Sequence, residues 1–267
     1  MTDSEVIGNP RHLIGFSLLS DEYDRRARLY PALLVFMPIV LLGGYGLGHG
    51  LGHTEAIAGL FASCGGLILL AQLARDAGER NEKGLFTKWG GMPSVAIFRH
   101  VDDRLDTITK ERYHKQMQSL IKTTKAPTLS DERIDPVSAD LTYLAWSTFL
   151  RIHTRDHKRY PLIFEELINY GYRRNVWGLR RIGIGTCLIC ESVAIYLPAS
   201  HYKVMKTVSP ELLATSLVIA FLVVLWIFVF REDWVKRPAD AYAERLAESI
   251  DTLSSNSTDK TKKASKR

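Results

Sequence analysis

Hydrophobic residues in this chain are concentrated in four long blocks. Residues 29–54, 56–74 and 212–230 contain no Asp, Glu, Lys or Arg, and residues 182–202 contain only Glu191. About 20 apolar residues, each adding about 1.5 Å of helical rise, cross a hydrocarbon core about 30 Å thick. The pattern therefore predicts four transmembrane helices.

Basic residues are divided unevenly among the segments that connect these blocks. Of the 35 Lys and Arg residues, only Lys203 and Lys206 lie in the 198–211 connection. Lys and Arg are enriched in the cytoplasmic flanks of membrane spans. We therefore expect both termini and the middle segment to be cytoplasmic. Juxtamembrane basic residues also account for much of the net charge of +6, without a nucleic-acid partner.

The middle segment, residues 75–181, is long enough for a compact domain, and its pattern is helical. Asp135 followed by Pro136 predicts the start of a helix. The residues that then lie on one stripe at helical spacing are Leu141, Leu144, Ala145, Thr148, Phe149 and Ile152. No segment alternates with a period of two for long enough to predict a sheet. The predicted fold class is an all-α membrane protein in which two transmembrane helical hairpins flank a cytoplasmic helical domain.

The chain is predicted to contain six consecutive parts. Tyr242, Leu246, Ile250 and Leu253 recur at helical spacing and predict an amphipathic helix after the last span. The basic segment that follows has almost no apolar residues and is predicted to be disordered. The parts are a cytoplasmic N-terminal segment (1–28), a transmembrane hairpin (29–74), the cytoplasmic helical domain (75–181), a second hairpin (182–230), the amphipathic cytoplasmic helix (231–253) and the basic tail (254–267).

A polar seam is predicted inside the membrane. Cys187, Cys190 and Glu191 share one face of the third span, and Glu191 lies near the bilayer midplane, where a carboxylate is costly and turns inward. Cys64 lies at matching depth in the second span. The seam could form an ion path or a gate; alternatively, a protonated Glu191 is hydrogen-bonded there for packing alone.

Small residues predict close helix contacts. Gly44, Gly48 and Gly52 form a doubled small-xxx-small pattern, and Gly65 with Gly66 leaves space beside the seam. We therefore expect helix association and a homo-oligomer.

Aromatic and basic residues cluster where the third span enters the membrane, in residues 169–178. One interpretation is an interfacial anchor, and the other is an electropositive surface that binds headgroups or an anionic partner. The residues assigned to this surface are Arg155, Arg159, Arg173, Arg174 and Trp177. Residues 88–93, which include two Gly and a Pro, predict a fixed turn.

The sequence contains no specific catalytic motif. The Cys187 and Cys190 pair has no second such pair, and His153, Asp156 and His157 are typical of a solvated helix face. We therefore predict that the chain is not an enzyme and holds no metal or cofactor.

Several motifs together resemble a known family. They are Tyr-Pro-Ala-Leu-Leu at residues 30–34, Trp-Gly-Gly-Met-Pro at 89–93 with Phe-Arg-His at 98–100, Thr-Arg-Asp at 154–156 before Phe-Glu-Glu at 164–166, and the 169–178 run. They resemble a family of bacterial four-span inner-membrane proteins found in phage-defence loci, similar to the transmembrane effectors of retron systems. The resemblance covers roughly residues 20 to 185, and it supplies no catalytic residues.

The resemblance implies an antiphage membrane effector in the bacterial inner membrane. Such an effector stays silent until infection releases it, and then permeabilises or depolarises the membrane so that the infected cell stops growing or dies. The implied partners are the lipid bilayer and a regulator encoded nearby, such as a retron reverse transcriptase or an RNA–DNA complex. The alternative function is a non-toxic membrane scaffold that recruits a cytoplasmic protein.

Overall fold

The computed structural model describes residues 21–48, 67–122, 125–200 and 209–264. All regular secondary structure within these ranges is helical, which confirms the predicted all-α class. A helix begins at Pro136 after an Asp135 cap, as the sequence predicts: the Asp135 carboxylate accepts a hydrogen bond from the Ser138 amide.

We number the helices of the described residues α1 to α10. Their bounds are α1 (Tyr30–Gly48, preceded by a π-helical turn Asp24–Leu29), α2 (Leu67–Lys88), α3 (Pro93–Ala96), α4 (Thr107–Leu120), α5 (Leu129–Ile134), α6 (Pro136–His153), α7 (Pro161–Gly178), α8 (Arg180–Ser200), α9 (Pro210–Val224, followed by a π-helical turn Leu225–Val229) and α10 (Glu232–Ala264).

The chain divides into two compact units. The first unit comprises the described residues up to Asn81 together with Gly171–Arg231, and the second comprises Glu82–Tyr170 together with the described residues from Glu232 onward. In the first unit α8 packs against α1 and α9, and α9 also contacts α1. In the second unit α10 packs against α3, α4 and α6.

Two helices in the described ranges are long and apolar enough to cross a membrane, where the sequence predicts four. They are Asp24–Tyr45 and Pro210–Val229. Only 33% of the first and 22% of the second is buried, whereas the core helix of a soluble domain is mostly buried. Of the other two predicted spans, residues 56–74 lie mostly outside the described residues, and residues 182–202 lie partly outside them.

The core of the second unit is rich in aromatic residues. Phe98, Tyr143 and Trp146 contact one another with ring centroids 5.3 to 6.2 Å apart. Leu246 and Ile250 of α10 are buried in the same core. Tyr242 and Leu253 pack against it partly buried, so all four positions of the predicted amphipathic helix meet the core.

The predicted stripe of α6 is not its buried face. The helix buries Ala139, Tyr143, Trp146, Ser147 and Leu150. Leu141, Leu144 and Ile152 of the predicted stripe are exposed instead. Both faces of α6 have apolar residues at helical spacing, and the face with the larger aromatic side chains buries more apolar area.

The turn predicted at residues 88–93 is present. Gly90 and Gly91 have φ angles of +77° and +139°, a region that strongly favours glycine. The Gly90 carbonyl accepts a hydrogen bond from Arg99 Nη1 at 2.6 Å, and Pro93 then starts α3. The other end of the chain differs from expectation, because α10 continues through Ala264 into the segment predicted to be disordered.

Candidate functional site

Glu191, which the sequence predicts to lie inside the membrane, makes one hydrogen bond to the described residues of the first unit. Ser216 Oγ of α9 donates a hydrogen bond to Glu191 Oε1 of α8. The second carboxylate oxygen, Glu191 Oε2, is buried and has no hydrogen-bond partner among the described residues. Sequence reasoning singled out Glu191 but did not pair it with Ser216, because a lone Ser in an apolar helix carries no signal of its own.

The two cysteines of the predicted seam lie on the inner face of α8. Cys187 and Cys190 are both buried and both free thiols, and Ala194 continues the same face. Leu188 and Ile189, on the other side of the helix, are 52% and 67% exposed. The structure therefore places Cys187, Cys190 and Glu191 along one packed face, as their spacing predicts. Cys64, Gly65 and Gly66 lie outside the described residues.

The predicted small-xxx-small pattern makes no close contact where the structure describes it. An added Cβ on Gly44 would have no atom within 4 Å, and Gly44 is exposed. Gly48 ends α1 and its surroundings are not described, and Gly52 lies outside the described residues. Any close contact at Gly44 must therefore come from another molecule or from the undescribed part of the chain.

Other glycines of the first unit do mediate close helix contacts, and sequence reasoning missed them. An added Cβ on Gly178 would lie 2.6 Å from the Gly78 nitrogen, so α2 and α7 meet backbone to backbone. An added Cβ on Gly183 would lie 2.4 Å from the Trp226 ring, which is fully buried. Glycine at these points permits the close approach.

Two side chains from the α7–α8 region bind carbonyls in the π-helical turns of the first unit. Asn175 Nδ2 donates to the Ala27 carbonyl at 2.7 Å. Arg180 donates to the Trp226 and Ile227 carbonyls, each at 2.9 Å. A π-helical turn alters the regular i to i+4 hydrogen-bond pattern, so its carbonyls can accept bonds from side chains. These contacts fix the two candidate membrane helices to α7 and α8.

The residues predicted to form one basic surface belong to different units. Arg155 and Arg159 are exposed in the second unit, and Arg159 lies over the Tyr160 ring at 5.6 Å. Arg173, Arg174 and Trp177 are half-buried on α7 in the first unit.

A buried polar cluster in the second unit was not predicted. The carboxylate of Glu132 accepts hydrogen bonds from the His100 amide at 2.9 and 3.0 Å and from the Tyr143 hydroxyl at 2.5 Å. His114 Nε2 pairs with the Phe98 carbonyl at 2.8 Å. Burial and the bond to Glu132 raise the pKa of Tyr143 far above its usual range. The Glu132–Tyr143 bond joins α5 to α6, and the His114–Phe98 bond joins α4 to the segment after α3, so the cluster is suited to holding these elements in place.

A buried lysine, Lys110, bonds two backbone carbonyls in the segment between α3 and α4. Lys110 Nζ donates to the Arg99 carbonyl at 2.9 Å and to the Asp102 carbonyl. Burial lowers the pKa of Lys110, while the nearby carboxylate of Asp102 opposes that effect. Among the described residues, no group of three His, Cys, Asp or Glu side chains is arranged to hold a metal ion.

Comparisons of the chain with models of known protein families, with curated proteins and with solved structures find no match.

Proposed function

We propose that this chain is a bacterial inner-membrane effector of phage defence, whose spans permeabilise or depolarise the membrane when infection releases them. Its cytoplasmic helical domain is restrained by a partner encoded nearby, such as a retron reverse transcriptase or an RNA–DNA complex. The family resemblance of the sequence motifs supplies the defence context. The single observation that carries the membrane mechanism is the contact between Glu191 and Ser216 in an apolar helix bundle.

The outward faces of the first unit support a membrane location. Large apolar side chains point away from the bundle on three helices, including Val40 (59% exposed), Ile195 (63%) and Phe228 (67%). In water these side chains would be exposed, and monomeric soluble proteins rarely expose large contiguous apolar patches. Lipid tails solvate such a surface without that cost.

The composition of the second unit supports the proposed hairpin of α8 and α9. The chain leaves this unit after Tyr170 and returns to it at Glu232. For a first unit that lies in a membrane, this arrangement favours an even number of crossings between the two parts. Pro210–Val229 is one candidate crossing, so α8 is the natural second one. This argument supports a hairpin of α8 and α9, and the distribution of basic residues supports cytoplasmic termini.

The Glu191 carboxyl is a polar group inside the apolar bundle, and its contact with Ser216 is the one that we propose to rearrange. A carboxyl group at the bilayer midplane is expensive unless it is paired or protonated. Ser216 satisfies one oxygen of Glu191, and the other oxygen is buried without a partner in the described part of the chain. Separation of α8 from α9 would expose both groups to water or to a neighbouring protomer, which creates a polar path through the apolar layer.

Inducible expression in a bacterial host with a voltage-sensitive dye tests this function. The chain expressed without its neighbouring genes, or in infected cells, is expected to depolarise the membrane. Glu191→Leu and Ser216→Ala are expected to weaken depolarisation at equal protein abundance. Ser192→Ala is the matched control, because Ser192 is exposed and its hydroxyl donates to the Leu188 carbonyl of its own helix at 2.8 Å.

Unchanged membrane potential in both conditions would rule out the effector function. Full activity of Glu191→Leu would remove this residue from the mechanism while leaving the function in place.

A second candidate function is a non-toxic membrane scaffold that recruits a cytoplasmic protein. The exposed basic residues Arg155, Lys158 and Arg159 of the second unit favour it, since they form a positive surface. The scaffold predicts no depolarisation under any condition. It also predicts loss of partner capture when these three residues are replaced by Glu.

A further inference from the structure

Two polar side-chain atoms of the first unit are buried without a hydrogen-bond partner among the described residues, and both lie where α8 meets α9 and the turn after it. One is Glu191 Oε2, and the other is Trp226 Nε1. An added Cβ on Gly183 would lie 2.4 Å from Trp226 Cε2, the ring carbon bonded to Nε1. Buried polar groups that no protein group satisfies are usually satisfied by ordered water. The contact is therefore suited to hold water near both atoms.

The buried face of α8 has polar groups between these two atoms. Gly183, Cys187 and Glu191 recur every four residues, so about 6 Å of helical rise separates each from the next. Cys190 adds a second buried thiol beside Glu191. Gaps of this length between polar groups can be bridged by water. The face therefore has a row of polar groups about 12 Å long, from the Trp226 ring to Glu191.

Glu191 is the charged side chain in the middle of these helices. In the described parts of α1, α8, α9 and the turn after α9, the other charged side chains lie at helix starts: Arg180, Arg181 and Glu211. The other ionisable side chains of these elements are Cys187, Cys190, Tyr30, Tyr45 and Tyr196. Arg181 lies ten residues before Glu191, about 15 Å along α8. A charge that crosses these helices therefore meets the Glu191 carboxyl partway.

The groups around Glu191 do not suit a metal cation. K⁺ crosses a protein where several oxygen atoms replace its hydration shell. The side-chain oxygens at this contact are those of Glu191 and Ser216, and the nearby thiols are soft ligands that hard cations do not prefer. Ile219 and Leu222, which α9 buries next along the chain, are apolar. A proton needs no such shell, since intramembrane carboxyl groups relay it.

We propose that the species that crosses the membrane at the Glu191–Ser216 contact is the proton, with Glu191 as its carrier. This inference rests on the function proposed above, which does not name the ion. Ser216 holds Oε1, and Oε2 forms an O–H bond with a proton that water delivers from one side. When that bond breaks, the proton passes to water on the other side and the carboxylate is restored. Each cycle moves a single positive charge and consumes no other reactant.

Reconstitution of the full chain in vesicles of phosphatidylethanolamine and phosphatidylglycerol tests the proposal. The vesicles contain K⁺ and a trapped pH-sensitive dye, and the outer solution contains an impermeant cation. With valinomycin, which makes the interior negative, we expect the interior to acidify several-fold faster than in protein-free vesicles. With a protonophore in place of valinomycin, acidification requires K⁺ to leave through the protein. In that case we expect the rate of protein-free vesicles.

The variants separate the carboxyl group from the shape of the side chain. Glu191→Gln keeps the shape but cannot carry the proton, so it is expected to reduce proton entry to the protein-free rate. Glu191→Asp keeps a carboxyl group and is expected to conduct faster than Glu191→Gln. Ser192→Ala is the matched control, because Ser192 is the next residue but is exposed, and it should leave the rate unchanged. Equal thermal unfolding midpoints in detergent check that the Glu191→Gln chain is folded.

Proton entry at the full rate through the Glu191→Gln chain would overturn the proposal. So would equal rates for Glu191→Asp and Glu191→Gln, or protein-dependent acidification with the protonophore alone, which shows that K⁺ passes. The inference and the proposed function fail in different ways. A chain that depolarises cells and passes K⁺ but not protons keeps the effector function and loses the proton as its ion. A chain that leaves the membrane potential of cells unchanged loses both.

Discussion

His114 gives the second unit a pH dependence. Its ring is 5% exposed and packs edge-on against Trp146, with the ring centroids 5.0 Å apart. Burial lowers the pKa of His114, although the bond to the Phe98 carbonyl opposes this effect. The folded state therefore takes up this proton at lower pH than the unfolded state does. The associated stability is fully present above the unfolded pKa of about 6.5 and is lost as the pH falls toward the folded value.

We accordingly expect the hydrogen-exchange protection of α6 peptides to decrease from about pH 7.5 to about pH 5 once corrected for intrinsic exchange rates. His114→Gln should flatten this dependence. His153→Gln is the control for loss of an imidazole, because His153 is exposed on the same unit. An equal slope in the His114→Gln chain would show that this residue does not set the pH dependence.

For single residues, the sequence shows which side chain is unusual for its segment better than it shows which group that side chain bonds. Glu191 can be identified from its place in an apolar block, since a carboxyl group there is unusual. Its partner Ser216 and the Glu132 cluster cannot, because each depends on contacts between residues far apart in the chain. Asn175 is likewise one of several polar residues in its segment, and only the fold shows that it is buried against the Ala27 carbonyl.

Two glycines of helix α8 allow a direct test of how this helix packs. Gly183 faces the buried ring of Trp226, whereas an added Cβ on Gly185 would meet no atom within 4 Å. Gly183→Ala should therefore destabilise the first unit by about 1–3 kcal/mol through overpacking. Gly185→Ala should be neutral or slightly stabilising, because Ala is the better helix former.

The thermal unfolding midpoints of the two variants in the same detergent provide the measurement. Equal midpoints would show that Gly183 of α8 does not pack closely against Trp226 in the π-helical turn after α9.

The elements themselves are largely predictable from the pattern. Periodicity and caps place α6 and α10, and the glycine pair with Pro93 places the turn before α3. The choice of buried face in α6 is not predictable in this way, because two apolar faces compete and only the tertiary packing decides between them. The π-helical turns also have no local signature, and their carbonyls accept bonds from Asn175 and Arg180 of other helices.

Each of the two units is formed by stretches that lie far apart in the chain. Helix α10 completes the core of the second unit, although more than sixty residues separate it from Tyr170. Sequence reasoning placed both parts on one side of the membrane by counting basic residues, but it could not show that they pack together. Under the proposed membrane location, their shared core requires an even number of crossings between them.

The central claim is that lipid surrounds the first unit and that α8 and α9 cross the bilayer as a hairpin. Site-directed labelling in spheroplasts tests this claim most directly. In a chain with Cys64, Cys187 and Cys190 changed to Ala, Lys203→Cys and Asp103→Cys are treated with a membrane-impermeant maleimide. A cytosolic protein with an exposed Cys monitors leakage. We expect Lys203→Cys to react in intact spheroplasts, and Asp103→Cys, in the second unit, to react only after lysis. The account would be contradicted if Lys203→Cys were protected in intact spheroplasts to the same extent as Asp103→Cys. Release of the chain from the membrane by alkaline carbonate would also contradict it.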